Sequence, residues 1–357
     1  MEEQTSENLN NGTFVMRKKL DKIFKELDVE LPVFILTHTH PDPDAMASAV
    51  GMSVLLKVAY GLTSKIYHLG EVSHPQNRSM RNILHVTLHD GREIDDDNFS
   101  AIVVVDTDLE GTGMKSEKIC KADLRVDHHN MDRSNGAKVS DVRSVGSSSG
   151  IVAEYLKEYN VDLSEHSDCA TSLVLGIKSD TNDFTGLDTS ELDMESYRFL
   201  LPYVNKESLS KVIQYTLPKV VFEMEAKAFA EKEIKNTTLV SFLGDIKSIN
   251  RDVLSTVADR LIRMDAITTV VILGVIDGFV VASIRSFDSR VNVNDLAVAV
   301  FGKENAGGKD FAGGARLPLG QAFDLLTDEE TINKVKNEVI NKIKEKIFDV
   351  LGEHVAN

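Results

Sequence analysis

The sequence predicts a two-domain α/β protein whose N-terminal domain is a doubly wound, mostly parallel sheet. Three observations support this prediction. Short apolar segments alternate with amphipathic helices from residue 31 to about 201, the pattern changes after about residue 225, and the chain has 357 residues. Alternating strands and helices are typical of βαβ units, in which the strands run parallel. A chain of this length also exceeds the usual size of a single domain.

The first domain is predicted to contain four strands and four clear helices. Short aliphatic runs indicate strands at 33–37, 64–68, 101–105 and 123–127. Apolar residues at helical spacing indicate helices at 44–59, 148–158, 167–178 and 192–201. Upstream, residues 17–29 have helical spacing, whereas residues 1–14 are polar and aperiodic, which is typical of a disordered start.

The second domain is predicted to be a smaller α/β domain that follows a helical connector. Residues 219–235 predict one long helix of this connector. Strands are predicted at 237–243, 267–274 and 278–285, and helices at 248–263, 293–301 and 328–350, with a glycine-rich loop before the last helix. The predicted boundaries are 1–30 for a polar segment and lead-in helix, 31–204 for the first domain, 205–235 for the connector and 236–357 for the second domain.

Composition and charge restrict the classes of function. Apolar content of 42% and the absence of an uninterrupted apolar run of ~20 residues predict a globular protein without a membrane partner. The acidic N-terminus lacks the features of a signal peptide, and the two cysteines fit a reducing compartment, so we expect a cytoplasmic location. A net charge of −16 argues against binding of long duplex nucleic acid but permits a small anionic substrate.

Ionisable side chains follow four apolar segments of the first domain. Because the carboxyl ends of parallel strands lie at one edge of a sheet, these side chains are expected to gather there. A buried cluster of carboxylates and imidazoles is stable only around metal ions. The residues are His38, Asp42, Asp44, Asp106, Asp127, His128, His129 and Asp180.

The residue types suggest different roles within this cluster. Asp42 and Asp44 lie two positions apart, so that in an extended segment each reaches a different metal of a pair; the alternative is that Asp44 only caps the following helix. Asp106 has two oxygens that can bridge two cations. Hard oxygen ligands with few imidazoles favour Mn²⁺ or Mg²⁺ over structural zinc. Two such ions activate water for phosphoester or phosphoanhydride hydrolysis.

The adjacent histidines of the third motif are expected to diverge. One of His128 and His129 is then a metal ligand, and the other donates a proton or hydrogen bond to the leaving group. Asp127 can hold an imidazole in the correct tautomer, as carboxylates often do beside metal-bound histidines.

These motifs, in this order, resemble those of the DHH phosphoesterase superfamily. That superfamily includes the exonuclease RecJ, nano-RNases, 3′-phosphoadenosine-5′-phosphate phosphatases, cyclic-dinucleotide phosphodiesterases and family II inorganic pyrophosphatases. The resemblance implies two Mn²⁺ ions per site, with Mg²⁺ or Co²⁺ as substitutes, and places His129 near the leaving group. The implied ligands are His38, Asp42 and Asp106 for one ion, and Asp44, Asp106, His128 and Asp180 for the other.

The second domain resembles the DHH-associated C-terminal domain, which binds the nucleotide portion of the substrate. This resemblance implies an active-site cleft between the domains. In the glycine-rich loop at 306–316, Lys309 stands where the family usually has histidine, and a shift of the register by one residue would put Asp310 there. Ser147 belongs to a segment that resembles the family's Gly-Ser-Thr/Ser stretch. The implied substrate contacts are Ser147, Arg285, Gly307, Gly308, Lys309, Gly313, Gly314 and Arg316.

The resulting hypothesis is a metal-dependent phosphoesterase with a short nucleic acid or nucleotide as substrate. Short oligonucleotides, linear dinucleotides and nucleotide phosphomonoesters are the expected substrates. The alternatives are a family II-type inorganic pyrophosphatase, a cyclic-dinucleotide phosphodiesterase and a non-catalytic nucleotide sensor. By analogy with relatives, a homodimer is also expected.

Overall fold

The structure, a computed structural model, describes residues 15–95, 98–129, 137–308, 311–320, 323 and 325–355. The chain divides into two compact units, the first ending at Tyr215 and the second beginning at Thr216. Each unit is built on a six-stranded sheet with packed helices, which confirms the predicted two-domain α/β architecture. Within the described ranges, no helix has the length and apolar character needed to cross a bilayer.

The sheet of the first unit is parallel between all neighbouring strands. Its strand order is β3-β2-β1-β4-β5-β6, so the chain first moves outward from β1 in one direction and then in the other. The reversal between β1 and β4 is the kind of position where α/β sheets bind ligands. The strands are β1 Val33–Leu36, β2 Ser64–His68, β3 His89–Asp90, β4 Ala101–Val105, β5 Ala122–Asp127 and β6 Ala137–Val142.

Helices α2, α4 and α5 cover one face of this sheet and form the main core with it. Gly51 of α2 allows the close approach of these helices, because a Cβ atom there would lie 2.6 Å from Val152 Cγ1 and 3.1 Å from Leu173 Cδ2. A smaller apolar cluster on the opposite face includes Leu109 and Met114. The helices of the unit are α1 at 15–24, α2 Pro43–Tyr60, α3 Pro75–Ile83, α4 Ser148–Glu158, α5 Ser167–Asp180, α6 Glu191–Leu200 and α7 Lys206–Ile213.

The second unit has a mixed sheet of order β11-β12-β10-β9-β8-β7, in which only β8 and β9 form a parallel pair. Helices α8 and α9 pack on one face, and α10 and α11 pack on the other. The strands are β7 Glu233–Lys235, β8 Thr238–Asp245, β9 Thr269–Ile276, β10 Phe279–Ser286, β11 Ala306–Gly308 and β12 Ala312–Pro318. The helices are α8 Lys219–Ala230, α9 Val253–Leu261, α10 Val293–Phe301 and α11 Glu329–Val355.

Two predicted elements are wrong. The long helix at 219–235 ends at Ala230, because residues 233–235 pair with β8 and its ladder replaces the helical hydrogen bonds. The predicted glycine-rich loop is largely the hairpin of β11 and β12. The predicted connector at 205–235 contains two separate helices and is divided between the two units.

Candidate metal centre

The carboxyl ends of β1 and β4 bring the first group of predicted ligands together. His38 Nε2 lies 3.7 Å from Asp42 Oδ1 and 3.6 Å from Asp106 Oδ2. Each of these three residues offers one ligand atom, and the three atoms lie within 4.8 Å of one another. The spacing is compatible with a single cation between them.

A second group lies on the other side of Asp106. His128 Nε2 is 3.1 Å from Asp180 Oδ2, 3.3 Å from Asp106 Oδ1 and 3.9 Å from Asp44 Oδ2. Ligand atoms of Asp44, His128 and Asp180 also lie within 4.8 Å of one another. Asp106 therefore presents one oxygen to each imidazole, as a carboxylate that bridges two cations would.

Hydrogen bonds on the far side of both rings determine which nitrogen faces the carboxylates. The Nδ1 atoms of His38 and His128 lie 3.0 and 3.1 Å from the carbonyl oxygens of Thr39 and Val145. A carbonyl only accepts, so each Nδ1 carries a hydrogen and each neutral ring has its Nε2 lone pair among the carboxylates.

Two atoms at the centre of the cluster are buried without a hydrogen-bond partner. They are His128 Nε2 and Asp106 Oδ2. The short contacts to neighbouring oxygens therefore lack hydrogen-bond geometry, and a buried unsatisfied polar atom is costly. A cation bound between the groups would satisfy both atoms, so the residues present fit a metal site.

The electrostatics of the cluster also demand positive charge. Burial opposes the charged imidazoles, but contacts with carboxylates, Asp106 among them, raise the pKa values of His38 and His128 to about 11. Burial and neighbouring carboxylates raise the pKa values of Asp44 and Asp180. Burial raises the pKa of Asp106 as well, yet its two histidine neighbours hold it far below the usual range. Protons or divalent cations must therefore accompany these carboxylates.

The two aspartates at the start of α2 have different local roles. Asp42 is the N-cap, and its Oδ1 accepts a hydrogen bond from the Ala45 amide at 3.0 Å. Asp44 lies in the first helical turn, and its oxygens accept bonds from the Ser148 and Ser149 amides, each at 2.8 Å. The alternative that Asp44 is the cap is therefore wrong, and the two residues are not in an extended segment. They nevertheless reach different groups of the cluster.

Asp106 is held by an unusual backbone conformation and by a neighbouring hydroxyl. Its φ of 59° lies in the left-handed region, which costs an L-residue roughly 1–2 kcal/mol. Its amide donates to Val126 O at 2.8 Å, and Ser148 Oγ donates to its Oδ1 at 3.0 Å. Residues held in sparsely populated conformations concentrate at functional sites.

Asp127 orients His129 rather than His128. Its Oδ1 accepts hydrogen bonds from the His129 amide at 3.0 Å and from His129 Nδ1 at 2.9 Å. The His129 side chain is 32% exposed, whereas that of His128 is 5% exposed. The two rings thus diverge, with His128 buried in the cluster and His129 at its accessible side.

The sequence interpretation missed two residues that bond to the cluster, Arg125 and Ser148. Arg125 carried a signal, since it is a charged residue inside an apolar strand. Predicted substrate contact by Ser147 is not supported, because its fully buried side chain caps α4 and donates to Asp193 Oδ1 at 2.8 Å. It is the next residue, Ser148, whose hydroxyl reaches the cluster.

The predicted substrate arginines of the second unit share a sheet face but do not converge. Arg285 Nε donates to Asp259 Oδ1 at 2.6 Å, and the Arg316 guanidinium stacks 3.8 Å from the Phe279 ring centroid. Arg316 pairs with Val281, so the two arginines lie roughly 13 Å apart along the strands. Lys309 lies outside the described residues.

Three of the four glycines predicted to contact substrate have a packing reason. A Cβ atom on Gly308 would lie 2.6 Å from Ala312 O, and one on Gly313 would lie 3.0 Å from Gly307 O. These glycines permit the close pairing of β11 and β12. A Cβ atom on Gly314 would also be tight, 3.1 Å from Ala282 O, whereas one on Gly307 would meet open space.

Family models match both units in the predicted order. The model of the DHH family N-terminal domain matches residues 32–177, and the DHHA1 domain model matches residues 235–345. The chain belongs to the DHH superfamily. Its histidine and aspartate groups could hold metal ions.

Two curated relatives and one solved structure are similar to this DHH protein. The uncharacterized protein MJ1633 of Methanocaldococcus jannaschii is 33% identical over 322 residues, which is 90% of this chain and 64% of the relative. The A-adding tRNA nucleotidyltransferase of Aquifex aeolicus is 28% identical over 216 residues, 59% of this chain and 24% of that protein. The chain thus spans less than two thirds of either relative.

The solved structure is an exopolyphosphatase-related protein of Bacteroides fragilis. Its TM-score to this chain is 0.63 at 16% identity, and the match covers 92% of this chain and 96% of the other. At this identity the likeness demonstrates a common fold.

Proposed function

We propose that this DHH protein is a Mn²⁺-dependent phosphoesterase that hydrolyses short oligonucleotides, linear dinucleotides or nucleotide phosphomonoesters. The observation that carries the proposal is the position of Asp106, a buried carboxylate whose two oxygens face two different imidazoles. Its unpartnered Oδ2 and the unpartnered His128 Nε2 support bound cations.

Oxygen ligands with two imidazoles suit Mn²⁺ or Mg²⁺. When bound, two divalent cations supply an activated water and neutralise charge on the phosphoryl group. The residues that would hold them are His38, Asp42 and Asp106 on one side, and Asp44, Asp106, His128 and Asp180 on the other.

The remaining residues of the cluster orient ligands and handle the leaving group. His129 protonates the leaving oxygen through Nε2, while Asp127 holds its Nδ1–H. Ser148 fixes one Asp106 oxygen, and the first amides of α4 fix the Asp44 carboxylate. These hydrogen bonds position the carboxylates before substrate arrives, which is how a preorganised site lowers the barrier.

Features of the second unit favour a nucleotide over a compact anion as the substrate. Phe311 and Phe287 are 47% and 67% exposed, and the amide of Ser286, which precedes Phe287, donates to Phe311 O at 3.0 Å. Exposed aromatic rings are stacking surfaces for bases, worth roughly 1–3 kcal/mol each. Arg285 precedes Ser286 in β10, and its guanidinium offers a positive charge for a phosphate. The net charge of −16 supports a short substrate over a long strand.

The test is a substrate panel with the purified protein and Mn²⁺. The panel contains two- to five-nucleotide RNAs and DNAs, linear and cyclic dinucleotides, 3′-phosphoadenosine-5′-phosphate and pyrophosphate, with products separated by chromatography. Mononucleotides from short oligomers that disappear in Asp106→Ala support the proposal. Phosphate from pyrophosphate alone would instead indicate a family II-type pyrophosphatase, and tight nucleotide binding without turnover would indicate a sensor. Light scattering of the same preparation tests the expected homodimer.

A further inference from the structure

Arg125 is a buried arginine of β5 in the first sheet. Its side chain is 5% exposed, and its neighbours across the sheet are Val104 of β4 and Ser140 of β6. A guanidinium is rarely buried unless specific acceptors meet its hydrogens. Its acceptors therefore indicate why a charge stands inside an otherwise apolar strand.

The Arg125 side chain joins the ends of β4 and β5. Its Nε and Nη2 donate to Asp127 Oδ2 at 3.1 and 2.5 Å, and Nε also lies 3.2 Å from Thr107 O. Thr107 follows Asp106 directly, so one guanidinium contacts two of the strand ends that contribute to the cluster. Its planar fork can make these bonds together, whereas a lysine ammonium cannot reproduce that geometry.

The Asp127 carboxylate is divided between Arg125 and His129. Oδ2 accepts from Arg125, and Oδ1 accepts from His129 Nδ1 at 2.9 Å. The side chain of Asp127 is fully buried. Rotation of this carboxylate would break bonds on both sides, so Arg125 determines the direction in which Oδ1 meets the ring.

His129 has a competing arrangement open to it. Its Nδ1 is also 3.8 Å from Asp106 Oδ1, and Asp106, His128 and His129 form a third group that could hold a metal ion. A ring whose Nδ1 is protonated and bonded to Asp127 cannot ligate through that atom. The bond to Asp127 therefore decides whether His129 donates a proton or binds a metal ion.

We propose that Arg125 is a positioning residue that acts through Asp127 to keep His129 a proton donor to the leaving group. This inference rests on the proposed function. In the step concerned, a hydroxide oxygen derived from water forms a bond to phosphorus, and the bond from phosphorus to the leaving oxygen breaks. The proton on His129 Nε2 moves to that oxygen, and the neutral ring then regains a proton from water.

The chain contains a matched control for Arg125 on the next strand. Arg143 lies two residues after Asp141 and binds both of its oxygens, at 2.8 and 2.7 Å. This second fork continues to Glu154 at 2.6 Å and to the Tyr155 hydroxyl, which donates to Asp141. Among the described contacts, neither residue of the Asp141–Arg143 pair bonds a histidine side chain. Arg143→Lys thus disturbs a comparable, partly buried pair, while the backbone bond from the Arg143 amide to Asp127 O at 3.0 Å is kept.

The experiment compares two substrates with different leaving groups. A dinucleotide releases a ribose hydroxyl, which needs a proton, whereas the p-nitrophenyl ester of thymidine 5′-monophosphate releases a stable phenolate. We expect Arg125→Lys to lower kcat for the dinucleotide by about 10-fold or more and for the ester by less than about 3-fold, since general acid catalysis contributes roughly 10²–10⁴-fold. Arg125→Gln acts in the same direction, and Arg143→Lys leaves the ratio of the two rates unchanged.

A double variant tests whether Arg125 acts through His129. Arg125→Lys combined with His129→Gln is expected to be no slower on the dinucleotide than His129→Gln alone, because residues that act as a unit are not additive. Additive losses, or equal losses on both substrates, would overturn the positioning role and leave Arg125 a structural residue. Thermal melting and Mn²⁺ titration of each variant identify those that fail to fold or to bind metal.

A spectroscopic measurement separates this inference from the proposed function. Long-range ¹H–¹⁵N correlation of the histidine rings reports which nitrogen of His129 carries the hydrogen in the metal-free protein. We expect protonated Nδ1 in the wild type and in Arg143→Lys, and loss of that single state in Arg125→Gln. An unchanged His129 signal in Arg125→Gln overturns the inference. This outcome can be read even if the wild type cleaves neither substrate, a result that would contradict only the proposed function.

Discussion

The two units of this protein place their predicted functional residues very differently. In the first unit, side chains that are up to 142 positions apart in the chain, from His38 to Asp180, meet within a few ångströms. In the second unit, Arg285 and Arg316 are only 31 positions apart but lie far from each other along one face of the sheet, and each contacts its own neighbour.

The difference follows from sheet topology. Parallel strands all end at the same edge, so residues that follow β1, β4 and β5 must come together there. In an antiparallel pair, position along the strand is set by register, and β10 and β12 place Arg285 opposite Ala312 and Arg316 opposite Val281. Strand-end motifs in a parallel sheet therefore predict a site, whereas charged residues in an antiparallel hairpin predict only a surface.

The largest expected effect concerns the residue that links both halves of the cluster. Asp106→Asn should lower phosphoesterase activity by roughly 10³-fold, because several kcal/mol of metal-dependent stabilisation are lost. Asp108→Asn is the control, since Asp108 follows the same strand but accepts a bond from the Gly111 amide at 2.7 Å. Activity assays with Mn²⁺ on both variants measure the contrast, and near-wild-type turnover by Asp106→Asn contradicts the metal centre.

The pH dependence of metal binding should be the next largest effect. The pKa values of His38 and His128 are raised to about 11, so metal ions must displace protons, and Mn²⁺ affinity should rise by up to about 10-fold per pH unit for each proton. Calorimetry in buffers with different ionisation enthalpies counts the protons released. Binding without proton release between pH 6 and 8 would show that these rings are already neutral.

The same pKa shifts determine whether the stability of the metal-free protein rises or falls with pH. The folded-state pKa values of both rings exceed the ordinary value of 6.5. Their contribution to the free energy of unfolding is therefore fully present below about pH 6.5 and is lost as the pH rises through about 11. Thermal melts of the chelated protein across this range should show falling stability, and excess Mn²⁺ should flatten the dependence.

Smaller effects are expected for two adjacent serines of the first unit, only one of which bonds to the cluster. Ser148→Ala removes the hydrogen bond to Asp106 and should weaken Mn²⁺ binding by roughly 10-fold, since bonds to charged groups contribute about 1.5–3 kcal/mol. Ser147→Ala removes the cap of α4 and the bond to Asp193, so it should lower the melting temperature with little effect on Mn²⁺ affinity. Equal metal affinities for the two variants would argue against a role for Ser148.

The smallest effects are expected in the second unit. Arg285→Ala should raise the KM for a dinucleotide by about 3–10-fold with little change in kcat, since a contact that only binds the substrate acts on ground and transition states alike. Arg316→Ala should change KM less, because this exposed side chain is held by the Phe279 ring and lies elsewhere on the face. Steady-state kinetics on one dinucleotide distinguish the two, and a larger effect for Arg316 would reverse their assignment.

Much of the first unit could be predicted from the sequence, and the reasons are local. The four predicted strands and the helix at 148–158 are confirmed, because aliphatic runs and helical spacing state the local structure directly. The edge strand β6 was missed, since Ala137–Val142 lacks the continuous aliphatic run that marks the buried strands of this sheet. The helix predicted at 219–235 failed for the opposite reason, because pairing with β8 overrode the local preference of residues 233–235.

By itself, the sequence determined the α/β class, the order of the motifs and the residue types that can bind a divalent cation. These properties depend on periodicity and on ligand chemistry, and both follow from the identity and spacing of individual residues. Only the tertiary structure decided that Asp42 caps α2 while Asp44 docks on α4, and that Asp127 turns to His129. It also showed that Arg125 stands behind Asp127. Hydrogen-bond partners of buried polar groups are chosen by packing across distant segments, and no local pattern records that choice.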